Sequence, residues 1–181
     1  MRVFIGCSAS NGINPKYHVL ASSVSEILAK HDNKLVFGGY DEGMMGKCYM
    51  TFKYHDKKVK GIADIRDIDE LKRLELNASE VTNTTFERTM KLFNSSELIV
   101  ILPGGIGTFA EIFAMLDEMR TREDFKPFII FNYEGYYDDI IELMNKAHKE
   151  YFVSDNDIKL FDVVTSLEEF EKLIERLEGD R

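Results

Sequence analysis

The sequence predicts a Rossmann-like α/β protein, a doubly wound and mostly parallel sheet with helices on both faces. Three observations predict it. Short apolar runs alternate along the whole chain with segments whose apolar residues recur every three or four positions. Several of those runs end in glycine-rich turns that lead into a helical segment. The central run, Leu98-Ile99-Val100-Ile101-Leu102, is uninterrupted and stops at Pro103-Gly104-Gly105, as a strand buried on both faces would. At 181 residues, with no internal repeat, linker or low-complexity stretch, residues 1–181 read as one domain.

The elements follow in order. Arg2 to Gly6 reads as the first strand, ending in the small-residue loop Cys7 to Gly12. Pro15 suits the first turn of a helix whose apolar face is Tyr17, Leu20, Ala21, Val24, Ile27 and Leu28. Lys34 to Phe37 is a second strand, and Gly38 to Gly46 a second glycine-rich turn into a helix. Lys58 to Ile62 is a third strand. The charged stretch Ala63 to Ser79 reads as a loop with a short helix near Ile68 to Leu74. Asn83 or Thr84 can cap the next helix, with Glu87 placed for a capping box. After the central strand and its helix, Pro127 to Phe131 is another buried strand. Asn132 to Tyr137 turns into a helix reaching about Tyr151. Leu160 to Val164 is the last strand, and Thr165 or Ser166 caps the last helix.

Bulk properties exclude several classes of function. A formal charge of −9 argues against a broad nucleic-acid face. No apolar stretch approaches the roughly 20 residues of a membrane span, and the first apolar run is too short for a signal peptide. The expected location is cytoplasmic. Cys7 and Cys48 have neither disulfide-framework nor metal spacing and are expected to be reduced and buried. The four histidines lack ligand spacing and read as surface or structural.

The chemistry concentrates around Pro103-Gly104-Gly105-Ile106-Gly107-Thr108-x-x-Glu111. A strand, a glycine turn and a helix start present unpaired N–H groups and the positive end of a helix dipole at one spot, which suits a phosphate. The turns after Ile5, Phe37 and Leu102 should share the carboxyl edge of the sheet and converge on one crevice. Alternatives stay open. Thr108-x-x-Glu111 is also a capping-box pattern, and Arg88 is also a plausible solvated charge on a helix. Thr89, Lys91 and the acidic residues of the last helix read as a solvated face. Tyr133, Tyr136 and Tyr137 read as packing against the sheet.

Pro103 to Glu111 resembles the PGGxGTxxE signature of the Lonely Guy (LOG) family, cytokinin riboside 5′-monophosphate phosphoribohydrolases often mislabelled lysine decarboxylases. The resemblance runs from Val3 through Leu177. It takes in Phe4 to Ser8, Lys126-Pro127, and Asn132 to Tyr137, which is similar to the family's N-x-x-G-Y-Y segment. Gly38 to Gly46 is similar to the family's GGG-x-x-GLMG turn, with Tyr40 for the third glycine and Met44 for leucine. Glu87-Arg88 stands in a motif like HERK, with Phe86 for the histidine and Thr89 for the lysine. Arg88 lies 15 positions before Pro103 and 23 before Glu111, as in the family.

The resemblance implies hydrolysis of the N-glycosidic bond of an AMP-like nucleoside 5′-monophosphate. Arg88 and Glu111 would be the catalytic pair. Gly104, Gly105, Gly107 and Thr108 would bind the phosphate, with Ser8, Gly39, Gly43 and Gly46 lining the same crevice. It implies no cofactor and no metal. Glu111 is expected to be ionised by the helix start. It also implies a homodimer, for which Phe113, Met115, Leu116 and Met119 would supply the surface unless they face the sheet. The competing reading is a non-catalytic binder or carrier of a phosphorylated ligand, such as a nucleotide or a molybdenum-cofactor-like pterin. Relatives of that kind, and DNA-processing proteins, share a similar turn. Lysine decarboxylation is not expected, because no lysine lies in the glycine turn to form a Schiff base.

Overall fold

The computed structural model describes residues 1–179. Within them seven strands form one sheet in the order β4-β3-β2-β1-β5-β6-β7, every neighbouring pair parallel. The strands are β1 (Arg2–Gly6), β2 (Lys34–Phe37), β3 (Val59–Asp64), β4 (Ala78–Thr82), β5 (Leu98–Ile101), β6 (Phe128–Phe131) and β7 (Asp162–Val164). The helices are α1 (Pro15–Lys30), α2 (Gly43–Tyr54), α3 (Ile68–Lys72), α4 (Thr85–Ser95), α5 (Ile106–Arg122), α6 (Asp138–Lys149) and α7 (Leu167–Gly179). Rossmann-like architecture is thus what the chain adopts.

The middle of the sheet explains itself. Every residue of β5 is buried, because β1 and β6 pair with it and helices cover both faces. Alternate residues of the strands feed two cores. Val3, Ile5, Leu35, Phe37 and Val100 pack with α1, α2 and α7, while Phe4, Val36, Ile99 and Ile101 pack with α4 and α5. Asn14 caps α1 through its side chain, and Pro15 follows at the first helical position.

One strand was hidden in the sequence. The stretch expected to be loop up to Ser79 ends in β4, which pairs with β3 over five residues, Lys60↔Ala78 through Asp64↔Thr82. It is an edge strand, exposed over most of its length, so it lacks the apolar run that marks an interior strand. The short helix within that stretch is present as α3. Ordering the sheet 4-3-2-1-5-6-7 makes β1 and β5 the strands where chain direction across the sheet reverses. The carboxyl ends of these two strands carry the crevice expected for such folds.

Candidate functional site

Three turns meet at this edge and are stitched by backbone hydrogen bonds. After β1, the Ser8 N–H donates to the Pro103 carbonyl (3.3 Å), and the Ser8 carbonyl accepts from the Met45 N–H of α2 (3.2 Å). Between them lies a cavity of about 190 Å3, floored by Ser8, Pro103, Gly104 and Gly105 and walled by Ile13, Tyr17, Met44 and Tyr136.

The turn after β5 has an unusual division of labour. Its four successive carbonyls are all engaged. Leu102 accepts from the Tyr137 hydroxyl (2.8 Å), Pro103 from Ser8 N–H (3.3 Å), Gly104 from the Tyr136 hydroxyl (2.7 Å) and Gly105 from Phe109 N–H (3.0 Å). Its amides from Gly105 onward are not. No side chain caps α5, whose first residues Ile106, Gly107 and Thr108 have no carbonyl a turn earlier to bond. The Gly104 N–H turns to the Tyr137 hydroxyl, and among the described residues none accepts from Gly105 N–H. A Cβ on Gly105 or Gly107 would meet nothing within 4 Å, whereas one on Gly104 would collide with the Thr108 side chain. The result is an exposed row of donors at a helix start, the arrangement an anion requires.

Beside this row sits a buried ion pair. Arg88 on α4 reaches under the edge of the sheet, its Nη1 3.3 Å from Glu111 Oε1, and both side chains are 11% exposed. The guanidinium is aimed by two carbonyls at the ends of neighbouring strands. Nε donates to Ile62 (3.0 Å) and Nη2 to Gly38 (3.2 Å). Glycine at position 38 leaves room for the guanidinium, since a Cβ there would overlap Arg88 Nη2 and push it aside. Glu111 Oε2 lies close to Gly6, where a Cβ would stand 3.3 Å away.

Glu111 is therefore not a cap. Gly105 is the N-cap of α5, which puts Thr108 in the first turn and Glu111 beyond it. The expectation that the helix start ionises Glu111 is corrected as well. Burial raises its pKa to about 7, with the charge and hydrogen bond of Arg88 pulling the other way. At neutral pH this carboxyl is poised between its two forms.

Other candidates fall differently. Thr84 caps α4, accepting from Glu87 N–H (3.2 Å) while Glu87 accepts from Asn83 N–H (2.9 Å). Thr89 is not on a solvated face. It is buried, and its hydroxyl donates to the Thr85 carbonyl one turn back (3.1 Å). Gly39 has φ +82° and backs onto Leu71. Gly43 has φ +59°, and its N–H is taken by the Asn11 side chain (2.9 Å). Gly46 lies against the Asp41 carbonyl. Tyr40, which replaces a family glycine, does not wall the cavity. Its phenol is raised to about 12 by burial and by Asp67 beside it. Of the proposed dimer surface, Met115, Leu116 and Met119 are buried in the sheet-facing core, and Phe113 is exposed.

Sequence reasoning passed over Gly38, Ile62 and Asn11, which act through backbone position or a short side chain. It also read Tyr136 and Tyr137 as packing, although both place a hydroxyl on the turn. The doublet beside Gly135 was the available signal.

The fold and site define a Rossmann-like α/β protein with a row of open amides next to a buried Arg–Glu pair. Residues 45–174 match the family model described as "Possible lysine decarboxylase", and the chain belongs to that family, the LOG family. A rice (Oryza sativa subsp. japonica) protein named a probable cytokinin riboside 5′-monophosphate phosphoribohydrolase is 29% identical over 154 residues, 84% of this chain and 63% of the relative. The chain thus spans less than two thirds of that relative's length. An Arabidopsis thaliana cytokinin riboside 5′-monophosphate phosphoribohydrolase is 27% identical over 158 residues, 84% of this chain and 72% of the relative. Among solved structures, the molybdenum cofactor carrier protein of Chlamydomonas reinhardtii superposes with a TM-score of 0.73 at 16% identity, covering 98% of each chain. That likeness is one of fold.

Proposed function

We propose that this protein hydrolyses the N-glycosidic bond of a purine or cytokinin nucleoside 5′-monophosphate, releasing the free base and ribose 5-phosphate. The observation that carries the reading is the buried Arg88–Glu111 pair beside a row of unengaged amides. The relatives' activity supports the same class of substrate.

The 5′-phosphate sits on the amides of Gly105 and Gly107 and on Thr108, where the helix start favours negative charge. The Gly104 amide, expected to share this role, is taken by the Tyr137 hydroxyl. Ser8 faces the same space. Bond breaking at the anomeric carbon develops positive charge on the ribose, and the Glu111 carboxylate stabilises it. Water adds its oxygen to that carbon as the bond to the base nitrogen breaks. One water proton goes to Glu111, whose pKa of about 7 suits the transfer near neutral pH. Arg88 holds the departing base, which leaves with the bonding electron pair, through its fixed fork of donors. The base nitrogen takes up the proton that Glu111 accepted from water, so that Glu111 returns to its carboxylate. The family description names another reaction. The residues around the cavity include no lysine, so a pyridoxal-phosphate Schiff base has no partner there.

The test is release of free base from AMP and from N6-isopentenyl-AMP by wild type, Glu111→Ala and Arg88→Ala. Release by wild type and its loss in both variants is the expected result. No release from either monophosphate, with phosphate-dependent binding intact, would replace the hydrolase with a binder of phosphorylated ligands.

A further inference from the structure

We infer that Tyr136 is a positioning residue that aims the phosphate-binding amides through the Gly104 carbonyl. The inference rests on reading this turn as the phosphate site.

The peptide bonds of the chain are all trans among the described residues, so each carbonyl points opposite to the N–H that follows it. Whatever holds the Gly104 carbonyl therefore sets the direction of the Gly105 N–H. The holder is the Tyr136 hydroxyl at 2.7 Å. Its neighbour Tyr137 makes the matching bond to Leu102 at 2.8 Å, but the residue after Leu102 is Pro103, which has no N–H to aim. Two adjacent tyrosines thus grip the carbonyls on either side of Pro103. Tyr136 sets the direction of the open Gly105 N–H, whereas the Tyr137 hydroxyl occupies the Gly104 N–H itself.

The chain is bent to deliver this grip. Glu134 and Gly135 both take positive φ, 52° and 75°, and a Cβ on Gly135 would run into the Asp138 carboxylate. That carboxylate accepts from Asn132 Nδ2 (2.7 Å), and Asn132 Oδ1 in turn accepts from Tyr137 N–H (2.7 Å). The Tyr136 ring is held edge-on by Tyr17, 5.9 Å away, and by Tyr137, 5.0 Å away. Tyr136 is 41% exposed, whereas Tyr137 is 1% exposed. Core packing accounts for Tyr137. It does not account for a half-exposed phenol bonded to a buried carbonyl at the rim of the cavity.

The experiment measures binding of inorganic phosphate, AMP and adenosine to wild type, Tyr136→Phe and Tyr137→Phe by calorimetry, with kcat and KM for any monophosphate turned over. For Tyr136→Phe we expect affinity for phosphate and AMP to fall about tenfold, adenosine binding to hold, and any turnover to lose in KM rather than kcat. Tyr137→Phe should lower the thermal midpoint and leave phosphate affinity in place. Unchanged phosphate affinity in folded Tyr136→Phe, or an equal loss for adenosine, overturns the inference. So does a wild type that binds neither phosphate nor AMP. A wild type that binds AMP without releasing base removes the hydrolase reading and leaves this one standing. Should Tyr136→Phe fail to fold, phosphate titration of wild type decides: a shifted Gly105 amide resonance supports the inference, and a silent one overturns it.

Discussion

The two glycine-rich turns look alike on paper and are built for different ends. In the turn from β2 into α2, each glycine is pressed against protein: Gly38 against Arg88, Gly39 against Leu71, Gly43 against Ala9 and Ser10, and Gly46 against the Asp41 carbonyl. In the turn from β5 into α5, Gly104 alone is pressed by a neighbour, and Gly105 and Gly107 face open space. The first turn spends its missing Cβ atoms on close packing, and one of them makes room for the Arg88 guanidinium. The second leaves its backbone bare for something that is not protein. Whether a Cβ would strike protein or nothing separates a scaffold glycine from a ligand glycine.

The sharpest way to break this comparison is at the groups the scaffold turn serves. Glu111→Ala and Arg88→Ala should each lower base release by at least about 100-fold, measured as kcat/KM. Gly46→Ala and Gly38→Ala come next. Gly46→Ala forces a Cβ onto a backbone carbonyl and should destabilise by about 2–4 kcal/mol in urea unfolding. Gly38→Ala must displace Arg88, so its loss of activity should approach that of Arg88→Ala. Gly107→Ala should behave oppositely. The new methyl meets nothing, so stability should stay within about 0.5 kcal/mol, while phosphate affinity drops because the Cβ occupies the anion's approach.

The ion pair gives a pH test of moderate size. Glu111 holds its proton more tightly folded than unfolded, so wild-type stability from this group is full below about pH 4.5 and is lost as pH rises through about 7. Glu111→Gln has no such loss. Its stability relative to wild type should rise between pH 5 and pH 8 by on the order of 2–3 kcal/mol, measured from urea midpoints. A flat difference would mean that Arg88 keeps Glu111 ionised throughout. If Glu111 acts as the base, kcat/KM should climb with pH and level near 7 rather than near the ordinary carboxylate value.

The legible part of the site was the part that depends on sequence spacing. Pro103 to Thr108 showed itself because a buried strand, two glycines and a helix start follow one another without interruption. Glu111 was legible as the end of the Pro103 to Glu111 signature. Arg88 was legible through the Glu87-Arg88 pair and its separation from that signature, since nothing else local distinguishes Arg88 from a solvated helix charge. The protonation of Glu111 was read wrongly. Its distance from the helix start and its burial depend on where α4 and the ends of β1 and β2 close over it. Strand β4 escaped because an exposed edge strand needs no apolar alternation. The tyrosine doublet was seen as bulk, and the direction of its hydroxyls depends on a turn at positive φ whose one local sign is Gly135.

By itself the sequence determined the alternation of strands and helices, the buried β5 and the bare glycine turn at its end. Those follow from apolar period and from the backbone freedom of glycine, both local properties. Only the tertiary structure decided which glycines face protein and which face solvent, that the Ile62 and Gly38 carbonyls aim Arg88, and that burial lifts Glu111 toward neutrality. Close approach, desolvation and the aim of a hydrogen bond are relations between segments far apart in the chain. They exist only once the sheet brings those segments together.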